Sequence, residues 1–384
     1  MEFEFVTADR ILFGPGRLKE VGPVMKSWGE HAFLVSGKHT ERTKPLVNVL
    51  AEAGLRVTLF PVAGEPTLEL VATGVRIARQ AGCDQVVSMG GGSAIDAGKA
   101  IAVLMTNKGA ISDYLEVIGR GEPLQAPPLP FVAIPTTAGS GAEVTRNAVL
   151  TSAEHRVKVS LRSPLMLPRL AVVDPELTLS LPRAVTATTG LDALTQLIEP
   201  YVCNRASPIT DGICEEGMRR VARSFWRVCE HGDDLAARED MAAAGLLGGL
   251  ALANSGLGAV HGFAASIGGM FPASHGAVCA ALLPRVMEVN LKVLRSRDPA
   301  RAVLGRYDRV AQILTGHSSA LAEDGIRWVK EKCFDQKIPG LRAHGVEAAD
   351  FPELVVKASA ASSMKANPVE LSPGDLMDIL ERSL

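Results

Sequence analysis

The sequence predicts an α/β unit with a largely parallel sheet, followed by an all-helical unit. Two observations carry this reading. In the first half, short apolar runs of strand length alternate with stretches of helical spacing. After Asp174-Pro175 the texture changes, and from Pro182 onward the chain is rich in Ala, Leu, Arg and Glu with few β-branched clusters. The boundary is placed near Leu181–Arg183, giving domains 1–182 and 183–384.

Phe3–Phe5 and Arg10–Phe13 read as short strands ahead of Gly14-Pro15-Gly16. Ala32–Ser36 and Val57–Phe60 read as strands, and Thr67–Ala81 has helical spacing. Gln85–Met89 reads as a strand that breaks into glycines and reopens as a helix, Ser93–Leu104. Gly121–Pro130 holds too much proline for a helix interior and reads as a surface connection into the strand Phe131–Pro135. Ala171–Val173 is the last expected strand. In the second half Leu191–Tyr201, Ile209–Val228, Leu235–Ala253 and Arg301–Leu314 read as helices.

Composition narrows the function classes. With 384 residues, 47% hydrophobic and 21% charged, the chain is expected to be soluble and globular with a sizeable core. A net charge of −2 and the lack of a long Lys/Arg run argue against a nucleic-acid or membrane-surface partner. The start Met1-Glu2-Phe3-Glu4-Phe5 is not that of a signal peptide, and no apolar run is long enough to span a bilayer. The cysteines at 83, 203, 214, 229, 279 and 333 form no Cys-x-x-Cys pair, which points to a reducing cytoplasm.

The most informative stretch is Gly90-Gly91-Gly92-Ser93-Ala94-Ile95-Asp96-Ala97-Gly98-Lys99. A strand that breaks into glycines before a helix lets the backbone approach an anion, with the free N–H groups of the first turn pointing at it. Ser93 stands where a Walker A loop needs glycine, Ala100 where it needs Ser or Thr, and Ile95 where a Rossmann fingerprint needs its third small residue. The turn suits a nucleotide diphosphate by neither pattern, and taken alone it is equally a plain tight turn. A second candidate loop, Pro135-Thr136-Thr137-Ala138-Gly139-Ser140-Gly141, follows the Phe131 strand. Its hydroxyls suit phosphate and ribose oxygens, or an ST-turn.

The helical half carries Asp192, with Gln196 one helical turn on, and two histidines fourteen residues apart, His261 and His275. Two imidazoles and a carboxylate are a normal set for Fe²⁺ or Zn²⁺, although spacing alone favours ordinary hydrogen-bonded histidines.

Together the motifs GGGSAIDAGK, IPTTAGSGAEVT, VVDPELTLSLP, GLDALTQLIE, VHGFAASIGG and SHGAVCAALLP resemble, in order and spacing, those of the iron-containing (group III) alcohol dehydrogenases. The resemblance runs from an expected opening hairpin to Asn367-Pro368. It implies an N-terminal dinucleotide-binding domain and an all-α C-terminal domain, the fold shared with dehydroquinate synthase, with an active cleft between them. It implies hydride transfer between NAD or NADP and a small alcohol or aldehyde, in a homo-oligomer. Carried over residue by residue, Gly91, Gly92 and Ser93 hold the pyrophosphate. Thr136, Thr137 and Ser140 border the adenine and ribose, Lys158 approaches the ribose, and Leu177 packs on the adenosine side. Asp192, His261 and His275 match three of the four metal ligands and are the expected catalytic centre.

Three departures stand out. Gln196 replaces the remaining ligand, and an amide oxygen is a poor donor beside imidazole. Ala265 stands where relatives carry a second histidine, a proton-relay candidate, four residues after His261. Gly37-Lys38 stands where NAD-preferring relatives carry an aspartate, so a 2′-phosphate meets no repulsion. Cys279, four residues after His275, reads as a soft ligand or a small buried side chain, and the burial habit of cysteine favours the latter. Alternative readings are a metal-independent ketoacid reductase of the maleylacetate type and a non-catalytic nucleotide-binding relative. A lyase of the dehydroquinate synthase kind would need a basic cluster that is not seen beside His261.

Overall fold

The structure, a computed structural model, describes residues 2–297 and 301–384. The chain divides into two compact units. One comprises Val6–Thr137 and Gly141–Leu179; the other comprises Ser180–Leu384, Ala138–Ser140 and residues 2–5. Against the expected single cut at 182/183, the main division falls at 179/180. Residues 138–140 group with the helices because Gly139 packs on the backbone of Thr189, where an added Cβ would lie 2.8 Å from the Thr189 Cβ.

The α/β unit is built on a six-stranded sheet in the order β1-β8-β5-β4-β2-β3. Its strands are β1 (Ile11–Phe13), β2 (His31–Ser36), β3 (Arg56–Pro61), β4 (Gln85–Gly90), β5 (Phe131–Pro135) and β8 (Leu170–Val173). Every pairing is parallel. Both faces of β2, β4, β5 and β8 are covered, so these strands read as continuous apolar runs rather than alternating ones. Successive side chains of β2 enter opposite cores. Ala32 and Leu34 pack with Met25 and Leu50 of α1 (Val21–Lys26) and α2 (Lys44–Glu52). Phe33 and Val35 pack with Val75 and Ile101 of α3 (Leu68–Ala81) and α4 (Gly92–Thr106).

This order places a topological switch between β2 and β4. The chain goes outward from β2 to β3, then crosses back to build β4, β5 and β8 on the other side. Ligands of open parallel sheets bind where the strand ends diverge at such a point. The two ends meeting there are Ser36-Gly37 and Gly90-Gly91. The approach is close: a Cβ on Gly90 would lie 3.2 Å from the Gly37 nitrogen and 2.6 Å from the Ala94 Cβ.

Two strand assignments change. Residues 3–5 form no strand, and Phe3 is 51% exposed. β1 pairs with β8 in parallel, so no hairpin opens the chain. The one hairpin among the described residues, β6 (Asn147–Ser152) with β7 (Val157–Arg162), went unread in the sequence. It is tied to α4 by polar groups. Lys99 Nζ donates to the carbonyls of Thr145 and Asn147 at 2.7 and 3.0 Å, and Asp96 accepts from the Val149 N–H at 3.2 Å. A short helix, α5 (Ile111–Tyr114), completes this unit.

The helical unit contains α6 (Arg183–Val202), α7 (Pro208–Glu230), α8 (Leu235–Ser255), α9 (Ala259–Met270), α10 (His275–Arg295), α11 (Arg301–Thr315), α12 (Ala322–Asp335), α13 (Phe351–Ala360) and α14 (Pro373–Glu381). The four helices read from the sequence are present; three are slightly longer than their apolar pattern, and α6 begins eight residues earlier than expected, at Arg183 rather than Leu191. α6 is the central one and is buried on every side from Gly190 to Val202. Ser207, Pro208 and Thr210 begin α7 with a capping box, and Asp234 caps α8 through the Ala237 N–H. No single described helix is long and apolar enough to cross a membrane.

Glu215 of α7 ties three helices together. It accepts from Arg309 of α11 at 2.7 and 3.0 Å and from the Tyr201 hydroxyl of α6 at 3.1 Å. The Arg309 hydrogen bonds, helped by Tyr201 and Arg219 against burial, bring its carboxyl down to about 2 from 4.5. A depressed pKa stabilises the fold in full above the ordinary carboxylate value, and the contribution disappears as pH falls from 4.5 towards 2. Glu215→Gln is therefore expected to lower stability near neutrality by about 1 kcal/mol, since the side chain keeps partial solvent contact. Thermal unfolding of both proteins across pH should show the gap closing on acidification; a gap independent of pH would contradict the assignment.

Candidate active site

Within the helical unit, three helices bring the donor atoms of Asp192, His261, His275 and Cys279 to one point. Asp192 and Gln196 lie one turn apart near the middle of α6. His261 is in the first turn of α9, His275 is the first residue of α10, and Cys279 follows one turn later. Asp192 Oδ1 is 3.5 Å from His261 Nε2 and 3.7 Å from His275 Nε2. Cys279 Sγ is 3.6 Å from His275 Nε2 and 3.9 Å from His261 Nε2. All four donor atoms lie within 4.8 Å of one another. Asp192, His261 and Cys279 are buried, whereas the His275 side chain is 36% exposed and opens the cluster to solvent.

A buried network fixes α9. Glu199, seven residues after Asp192 on α6, accepts from the Val260 N–H at 2.7 Å and lies 2.6 Å from His261 Nδ1. Asn367 accepts from the Ala259 N–H at 3.1 Å and exchanges hydrogen bonds with Asn290. These contacts satisfy amide groups that a helix start leaves open. The contact of His261 Nδ1 with Glu199 turns Nε2 towards the cluster, where a cation would take the place of its proton. The sequence reading missed Glu199. It ends the quoted motif GLDALTQLIE, and its two-turn spacing from Asp192 was the available signal.

Two oxygens decide what the cluster is for. Asp192 Oδ1 and Gln196 Oε1 are buried with no hydrogen-bond partner. Burial without a partner is costly, and a cation removes that cost. Burial opposes ionisation of Asp192, but His275, His261 and Gln196 outweigh it and hold its pKa below the usual carboxylate range. Burial likewise opposes charge on His261, but Cys279, Asp192 and Glu199 raise it well above an ordinary imidazole. Burial pushes the Cys279 thiol up to about 12. One carboxylate, two imidazoles and a thiol around unpartnered oxygens fit a divalent metal. Ala265, one turn beyond His261, offers no ionisable group.

In the α/β unit the expected nucleotide residues gather at the switch point. α4 begins at Gly91 with no side-chain cap, so the N–H groups of its first turn, on Gly92 and Ser93, face outward from the helix end. Gly91 lies beside Thr137, where an added Cβ would sit 3.6 Å from Oγ1, and the Thr136 N–H donates to the Gly90 carbonyl at 2.9 Å. Gly37 ends β2 next to them and Lys38 is exposed. Lys158 Nζ, 4% exposed at the side chain, is paired at 2.9 Å with Glu65, which also accepts from the Ser93 hydroxyl at 3.4 Å. Glu65 was not read from the sequence and carries no motif that would have shown it. Leu177 packs against the core on the α1/α2 face of the sheet. Ser140, three residues after Thr137, is grouped by its contacts with the helical unit.

This geometry matches known proteins throughout its length. The family described as iron-containing alcohol dehydrogenase matches residues 8–175, and its C-terminal counterpart matches residues 186–384. The chain belongs to this family, and it is an oxidoreductase of the alcohol dehydrogenase class. The 1,3-propanediol dehydrogenase of Klebsiella pneumoniae is 36% identical over 95% of this chain and 95% of its own. The NAD-dependent methanol dehydrogenase of Bacillus methanolicus is 33% identical over 97% of each. The crystal structure of a 1,3-propanediol oxidoreductase superposes with a TM-score of 0.93 at 33% identity, covering both chains completely.

Removing the Glu199 carboxylate leaves the His261 ring and the Val260 N–H unpartnered in the interior. Glu199→Ala is expected to cost about 3 kcal/mol of stability in urea unfolding. Glu199→Gln keeps an oxygen for Val260 and should lose clearly less. Equal losses would mean that the hydrogen bonds do not carry the effect.

Proposed function

We propose that this chain catalyses reversible hydride transfer between NAD(P) and a small primary or secondary alcohol, working as an aldehyde reductase in the reverse direction, with a divalent metal at the α6–α9–α10 cluster. The observation that carries the metal is the pair of buried, unpartnered oxygens on Asp192 and Gln196 beside two imidazoles. Asp192, His261 and His275 would hold Fe²⁺ or Zn²⁺, with Gln196 alongside. When bound, the cation supplies Lewis acidity towards the alcohol oxygen.

The chain's own residues do the rest. Glu199 holds the His261 ring so that Nε2 faces the cluster, where a cation would displace its proton. The buried walls limit water, leaving access at His275. The outward N–H groups of Gly92 and Ser93, with Gly91, take the pyrophosphate. Thr136, Thr137 and Ser140 border the adenine and ribose, Lys158 approaches the ribose, and Leu177 flanks the adenosine. A nicotinamide held there would accept the hydride of the carbinol carbon, and the hydroxyl would give up its proton. With alanine at 265, that proton leaves through water or a ribose hydroxyl. Relatives named for 1,3-propanediol, choline and methanol support a short hydroxyl compound as substrate. The net charge of −2 and six free cysteines support a cytoplasmic protein without nucleic-acid or membrane partners. The family resemblance supports a homo-oligomer.

The direct test is oxidation of NADH and NADPH by the metal-loaded protein over a panel of short aldehydes; no turnover with either cofactor would refute the reading. Gly92→Val places a branched side chain where the pyrophosphate would lie, and dinucleotide binding should disappear from a protein with an unchanged circular dichroism spectrum. Undiminished affinity would remove the glycine turn from the account. Gly37 and Lys38 admit a 2′-phosphate, so NADP should serve at least as well as NAD, and Gly37→Asp should shift kcat/KM towards NAD. A parent enzyme strongly selective for NAD would contradict this.

A further inference from the structure

We propose that Cys279 is a ligand of the metal, its sulfur completing the donor set that Gln196 leaves one nitrogen short. This rests on the metal-dependent reading above and adds to it the identity of the fourth donor. His275 and Cys279 are separated by one turn of α10, so both side chains leave the same face of one rigid helix. The sulfur lies 3.6 and 3.9 Å from the two imidazole Nε2 atoms, and it falls within the 4.8 Å cluster that includes Asp192 Oδ1.

Other cysteines of this unit show what a merely packed thiol does here. Cys203 and Cys333 direct their sulfurs to backbone carbonyls, of Ser255 at 3.6 Å and Ala280 at 3.4 Å. Cys279 instead faces the two histidine nitrogens that the cation would bind. Three lone-pair atoms and one sulfur around a common centre leave it rich in donors, and the unpartnered Asp192 Oδ1 points to the same need. Binding converts the thiol to a thiolate, with its proton released to solvent. Thiolate and carboxylate together cancel the charge of a dication, and a sulfur donor moves the set from a harder ion towards Zn²⁺.

Cobalt(II) tests this without relying on activity. The chelator-treated protein, given one equivalent of Co²⁺, should develop a near-ultraviolet sulfur-to-cobalt charge-transfer band. Cys279→Ser should take up Co²⁺ without that band and hold it at least about tenfold more weakly. Gln196→Ala should keep the band. Uptake with no band in the parent, or a band unchanged in Cys279→Ser, would overturn the sulfur ligand and leave the metal reading standing. Failure of the parent to take up any Co²⁺ would overturn both. X-ray absorption of the unaltered Zn²⁺ protein needs no variant: it should show one sulfur at about 2.3 Å, and a shell of nitrogen and oxygen alone would refute the proposal.

Discussion

The helical unit is organised around a polar stripe on a helix with no exposed side. α6 is buried from Gly190 to Val202, yet it carries Asp192, Gln196 and Glu199 on one face. Ionised or amide groups in that position are tolerated only when partnered. Glu199 is satisfied within the protein by Val260 and His261, which fixes where α9 begins and how its histidine is turned. Asp192 and Gln196 each keep a buried oxygen without a hydrogen-bond partner. The unit thus satisfies the half of the stripe that orients His261 and leaves the other half with unpartnered oxygens.

The rest of the cluster follows from that division. Because α9 is anchored through Glu199 and Asn367, His261 presents Nε2 rather than Nδ1 to Asp192. Because α10 starts at His275, one ligand position lies at a helix end near solvent, and Cys279 lies one turn deeper. Of the departures read from the sequence, Gln196 lies on the same helix face as Asp192 and Ala265 follows His261 by one turn. An amide stands at 196, a methyl group at 265, and the thiol at 279 lies with Asp192, His261 and His275. In the α/β unit, the comparable constraint is the close approach of two strand ends, which only glycine at 90 permits beside Gly37.

Much of this was legible in the sequence, for reasons that differ by element. The strands covered on both faces announce themselves as apolar runs, and the glycine start of α4 is visible as a break between strand and helix, though alone it suits a plain tight turn as well as an anion. The β6–β7 hairpin was missed because its half-buried alternation is short and its anchors, Lys99 and Asp96, lie on a distant helix. The residues at 3–5 alternate like a strand but group with the helical unit, which no local pattern reports. Asp192, His261 and His275 could be named from motifs. That Cys279 and Glu199 belong with them depends on how α6, α9 and α10 pack, and helical spacing supplied only a hint of it.

The central claim is that the polar face of α6 is completed by a cation. Differential scanning calorimetry of the metal-free protein, with and without Zn²⁺, tests it most directly. Binding to the folded state alone should raise stability by about 2.7 kcal/mol at a hundredfold excess over Kd, saturating at one ion per chain, and the rise in Tm should vanish in Asp192→Ala. A Tm unaffected by Zn²⁺, or raised equally in the variant, would contradict the account.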